Sequence, residues 1–138
     1  MPNAHRLTLA ATTLPTGRGE LGRLGEELAT RHLAEDDGLR IVARNWRLAA
    51  GELRGELDLV ARDDGTGELV VVEVKTRRDA ERFGGALAAV PHRKAAKVRA
   101  LTAAFLREAE LGPRRVRLDV IAIDLGRAPV LTHLPGAL

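Results

Sequence analysis

The chain has no cysteine and no tyrosine, one tryptophan, two phenylalanines and one methionine in 138 residues. Without cysteine there can be no disulfide scaffold, no thiolate-ligated zinc and no thiolate nucleophile. Three large rings, Trp46, Phe83 and Phe105, are too few to stack the successive bases of a single strand. A nucleic-acid partner would have to be gripped by its backbone. No apolar run approaches the length of a membrane span, so no membrane partner is expected. Leu7–Leu14 is only weakly apolar and is interrupted by threonines. It lacks the charged start and cleavage pattern of a signal peptide, and a cytoplasmic protein is the expectation.

What is present describes one globular domain, with 45% hydrophobic and 30% charged residues and a net charge of +3. The charge is unevenly spread. Residues 75–99 carry eight bases and two acids, whereas residues 1–74 carry nine bases and thirteen acids. A basic middle segment suits a phosphate-binding surface, and equally a solvated basic helix. Of the 22 basic residues only Lys75, Lys94 and Lys97 are lysine, which singles them out as places where a compact ammonium matters.

Residues 1–16 read as a flexible tail and 17–138 as a single domain. Leu21, Leu24, Leu28 and His32 recur at helical spacing, predicting a helix from Gly19 to Asp36 that Asp37-Gly38 ends. Strands are expected at Leu39–Leu48, Arg54–Arg62 and Glu68–Arg77, the last two joined by a turn at Asp63–Gly67. A second helix is expected over Val90–Glu110, then strands at Val116–Leu125 and Val130–Leu134. The order αβββαβ, with a short last strand, is an α/β fold.

A turn centred near Gly65 sets the hairpin register. Leu57 then faces Val74, Leu59 faces Val72 and Ala61 faces Val70, an apolar side expected to be core. On the other side Glu56 faces Lys75, Asp58 faces Glu73 and Val60 faces Val71. Two opposed carboxylates repel. Either one takes up a proton or a cation sits between them, and oxygen ligands favour Mg²⁺ or Mn²⁺. Lys75 shares the face of Glu73, so this set suits phosphodiester hydrolysis. The alternative is a solvent-facing hairpin side on which Lys75 bridges Glu56 and Glu73.

The segments Gly55-Glu56-Leu57-Asp58-Leu59-Val60 and Val71-Val72-Glu73-Val74-Lys75-Thr76-Arg77 resemble the core of the PD-(D/E)xK nuclease superfamily. The likeness is closest to the YraN-like family of uncharacterised proteins, which are similar to archaeal Holliday-junction resolvases. Gly22-x-x-Gly25-Glu26-x-x-Ala29, Arg44-Asn45-x-Arg47, Phe83-Gly84, Ala89-Val90, Lys94 and Arg117-Leu118-Asp119-Val120 extend it over about residues 19–124. The resemblance implies a restriction-endonuclease-like αβββαβ core, a central mixed sheet flanked by helices. It implies Asp58 and Glu73 as metal ligands supplemented by Glu26, and Lys75 as the catalytic lysine. It implies a Mg²⁺- or Mn²⁺-dependent endonuclease acting on branched or structured DNA, and symmetric cutting of a junction would need a homodimer. The alternative is a nuclease-like fold that binds nucleic acid without cutting. Leu57 replaces the superfamily's proline, Ala88 a common glutamate and Leu118 a common phenylalanine.

Glu56 is a candidate assistant in catalysis. Arg44, Arg47, Arg77, Arg78, Lys94 and Lys97 are candidate phosphate contacts, each also readable as a surface base. Asp119 alternates with Ile121 and Ile123 and is expected to point inward onto an arginine, and Trp46 to pack. His5, His32, His92 and His133 show no metal-ligand spacing, and His32 is expected on the inner face of the first helix.

Overall fold

The computed structural model describes residues 4–10, 17–48, 51, 53–78, 93–112, 114–126 and 128–138. In chain order the elements are β1 (His5–Thr8), α1 (Arg18–Arg31), β2 (Arg40–Arg47), β3 (Glu56–Arg62), β4 (Leu69–Arg77), α2 (Arg93–Glu108), β5 (Val116–Asp124) and β6 (Val130–Leu134). The six strands form one mixed sheet in the order β1-β6-β5-β4-β3-β2, with β4 and β5 parallel and the other pairs antiparallel. The α/β class and the order of the expected elements hold. No helix among the described residues is long and apolar enough to cross a membrane.

The tail expected over residues 1–16 is corrected in part. His5–Thr8 pair with β6, Leu7 opposite Leu131, and extend the sheet by one edge strand. Four residues carry too little periodicity to be read as a strand alone; an existing edge with free backbone groups recruits them. Residues 1–3 and 11–16 lie outside the described residues, as do Phe83, the Gly84-Gly85 loop and Val90.

The Asp63 side chain accepts hydrogen bonds from the N–H groups of Gly65 and Thr66, and Gly67 takes φ +79°. This turn fixes the expected register: Leu59 pairs with Val72, Val60 with Val71 and Ala61 with Val70. Alternation then gives the β3/β4 hairpin two apolar faces rather than one. Leu59, Ala61, Val70 and Val72 pack with Ala29 and Leu33, beneath α1 and the π turn (His32–Asp36) that follows it. Leu57, Val60, Leu69 and Val71 pack with Val98, Leu101 and Phe105 beneath α2. The expectation that Leu57 packs beside Leu59 is corrected by this. The pleat is interrupted there, where the β3/β4 ladder begins only at Leu59 and Asn45 of the neighbouring strand takes φ +48°. Trp46 packs edge-on against Phe105 with ring centroids 5.4 Å apart.

Gly25 lets α1 lie directly on β4: a Cβ there would stand 1.8 Å from the Thr76 hydroxyl oxygen. That approach brings the next residue, Glu26, to the end of the sheet where β3 and β4 part.

Candidate functional site

Where the hairpin ladder gives out, a side chain takes over the bonding. The Val74 N–H donates to Asp58 Oδ2 at 2.9 Å, tying the carboxylate between the strands. Single oxygens of Glu26, Glu56 and Asp58 lie within 4.8 Å of one another. Glu26 comes from α1 and the other two from β3. Each is held by a neighbour on β2 or β4: Asn45 Nδ2 donates to Glu26 Oε2 at 3.1 Å, and Arg47 Nε to Glu56 Oε2 at 2.8 Å.

Glu73 belongs to the same group but is engaged otherwise. It is buried, and its Oε1 lies 2.6 Å from the Lys94 ammonium on α2. Burial first, then the charges of Glu73 and Glu26, push the Asp58 carboxyl up to about 7, against the opposing pull of the Val74 N–H and Lys94. For Lys94, burial works against the charge, but the Glu73 hydrogen bond and the carboxylates of Glu73, Asp58 and Glu56 outweigh it and lift its pKa.

Two clefts flank these carboxylates. One, of 290 Å³, is lined by Glu56, Asp58, Glu73, Lys94 and Lys97, with the Lys97 stem lying against Gly55. The other, of 520 Å³, is lined by Arg18, Glu26, Lys75, Thr76, Arg77 and Arg78. The structure thus brings Glu26, Glu56, Asp58 and Glu73 together. It turns Lys75 into the cleft with Glu26 rather than onto Glu56 or Glu73. The bridge of Lys75 between those two glutamates does not form: among the described residues, Lys94 pairs with Glu73 and Arg47 with Glu56. Asp58 and Glu73 are neighbours as expected, although the β3/β4 ladder stops just short of them.

Arg44 pairs with Glu27 and Arg47 with Glu56, so both candidate phosphate contacts already have acidic partners. Arg77 and Arg78 stand at the rim of the larger cleft, with the Arg77 Nε buried and unpaired. Asp119 is fully buried and bound bidentately by Arg117, a structural role as expected.

Sequence reading assigned no role to Asn45 or Arg18. Asn45 is one of two described non-glycine residues with positive φ, a conformation asparagine tolerates better than most. Its place beside Arg44 and Arg47 was the available signal. His32 is buried on the inner side of the helix as expected, and with Asp37 and His133 it presents ligand atoms within 4.8 Å of one another. Spacing along the chain cannot show a meeting of its two ends.

Residues 25–123 match the model of uncharacterised protein family UPF0102. A UPF0102 protein of Frankia alni is 49% identical over 121 residues, covering 85% of this chain and 92% of the relative. One from Mycolicibacterium smegmatis is 45% identical over 121 residues, covering 86% and 93%. One from Mycobacterium avium is 42% identical over 132 residues, covering 93% and 98%. Family match and near full-length identity agree: this chain belongs to uncharacterised protein family UPF0102.

Proposed function

We propose that this protein is a divalent-metal-dependent endodeoxyribonuclease of restriction-endonuclease-like fold, acting on branched or otherwise structured DNA as a homodimer. One observation carries the reading: the oxygens of Glu26, Glu56 and Asp58 converge within 4.8 Å, and the three residues line two clefts that lysines and arginines also line. The donor set is all carboxylate, which suits Mg²⁺ or Mn²⁺. Glu26, Glu56 and Asp58 would hold the ion, with Glu73 beside them. When bound, such an ion polarises a phosphoryl oxygen and acidifies water.

The rest of the work falls to side chains of this protein. The Val74 N–H and Asn45 fix the orientation of Asp58 and Glu26. Lys94 pairs with the buried Glu73 and, with 43% of its side chain exposed, stays open to a phosphate. Lys75 stands in the larger cleft on the Glu26 side, positioned to orient water or to meet developing negative charge. Lys97, Arg18, Arg77 and Arg78 line the two clefts as backbone phosphate contacts.

A synthetic four-way junction and a matched duplex, incubated with Mg²⁺, Mn²⁺ or EDTA, test this reading. Metal-dependent cutting that Asp58→Ala and Lys75→Ala both abolish is expected, with preference for the junction. Binding without cutting, undiminished in Asp58→Ala, would instead make the protein a non-catalytic nucleic-acid-binding module. The Lys94–Glu73 pair favours that second reading, because an internal cation already neutralises one carboxylate.

A further inference from the structure

His32 and His133 stand 101 residues apart in the chain and meet edge to face, with ring centroids 5.0 Å apart. His32 Nε2 lies 2.9 Å from His133 Nδ1. Asp37 Oδ2 lies 3.7 Å from the first and 3.3 Å from the second. The outer nitrogen of each ring faces a carboxylate: His32 Nδ1 is 2.8 Å from Asp36 Oδ2, and His133 Nε2 is 2.7 Å from Asp119 Oδ2. A carboxylate only accepts, so each outer nitrogen must carry hydrogen. A neutral imidazole has one N–H. With both rings neutral, the two inner nitrogens are therefore bare lone pairs aimed at one small volume beside a carboxylate oxygen. Three electron-pair donors so close repel unless a cation lies among them.

We infer that this cation is a divalent ion of the zinc class, held by His32 Nε2, His133 Nδ1 and Asp37 Oδ2. A proton would bridge two of the three atoms and leave the third unused. The separations of 2.9, 3.3 and 3.7 Å bracket the edge of about 3.3 Å of a tetrahedron with zinc–ligand bonds of about 2.0–2.1 Å. Two imidazole ligands select zinc over magnesium. A carboxylate on the far nitrogen of each ring is the arrangement that orients metal-bound histidine. Both histidines are buried, while the Asp37 side chain is 26% exposed and marks the way in. Water completes the tetrahedron. The ion clasps the π turn after α1 to β6 and, through Asp119, to β5. Its role is structural, and it is separate from the carboxylate site.

The test uses the full chain, stripped with EDTA. It is titrated with Zn²⁺ against a chromophoric chelator, and with Co²⁺ followed by its visible ligand-field bands. One equivalent of Co²⁺ should give tetrahedral bands that Zn²⁺ displaces, and Zn²⁺ should raise the melting temperature. Asp37→Asn, at the rim, should lower affinity by at least about tenfold with unchanged circular dichroism. Asp58→Asn should leave the Co²⁺ bands intact, which separates this site from the proposed catalytic one. Absence of bands, or an Asp37→Asn protein that binds Zn²⁺ as tightly as the native chain, would overturn the inference. Histidine ¹⁵N shifts that do not respond to Zn²⁺ would also overturn it and assign the position to a shared proton.

Discussion

The carboxylate of Asp58 accepts a 2.9 Å hydrogen bond from the backbone N–H of Val74, across the point where the pairing of β3 with β4 has stopped. A side chain thus replaces a strand bond, and the same geometry holds the acid among Glu26, Glu56 and Glu73.

The raised Asp58 pKa has a pH consequence. Its folded value of about 7 lies above the ordinary 3.8, so the stability that neutral Asp58 contributes is full below 3.8 and lost as pH rises to about 7. Metal-free protein should therefore melt at progressively lower temperature across that window. Asp58→Asn should flatten the profile, and added Mg²⁺ should restore the melting temperature of the native chain at the alkaline end but not that of the variant.

Lys94→Met should leave Glu73 buried without its cation. Lys94 is half exposed, so water compensates in part, and a loss of about 1–3 kcal/mol is expected in urea unfolding. Adding Glu73→Gln should recover most of it. A double variant no more stable than Lys94→Met alone would show that Glu73 does not depend on this partner.

Gly25→Ala should force α1 off β4, because the new methyl would meet the Thr76 side chain. The expected cost is about 1–3 kcal/mol, read from chemical denaturation. Thr76→Ala in the same chain should restore part of it by removing the hydroxyl.

Asp119 is fully buried and accepts from Arg117, His133 and the Gly136 N–H. Burial alone would raise its pKa, but these donors prevail and hold it below the ordinary 3.8. Its contribution is therefore present above 3.8 and lost as pH falls further. Asp119→Ala should cost about 1–3 kcal/mol by leaving the buried His133 without its acceptor, while Arg117 keeps Glu68 and contact with water. It should also remove the part of the acid-unfolding transition that lies below 3.8.

Much of the fold was legible because its signals are local. The Asp63–Gly67 turn and the valines of β4 set a register that the structure reproduces at Leu59, Val60 and Ala61. β1 was not legible, since four residues become a strand only when β6 offers an edge. Leu57 departs from strict alternation because the β3/β4 ladder breaks before it, and it joins the core beneath α2.

At the site, sequence alone determined which residue types were available: carboxylates at period two on a hairpin, three lysines among arginines and a glutamate on the first helix. It did so because strand period and turn geometry are short-range properties. Tertiary structure decided the partners. It gave Glu73 to Lys94 rather than Lys75, placed Asn45 on Glu26, and brought His32 to His133. Those choices depend on how closely α1 and α2 approach the sheet and where β3 leaves β4. They are set by packing between segments far apart in the chain, which no local pattern encodes.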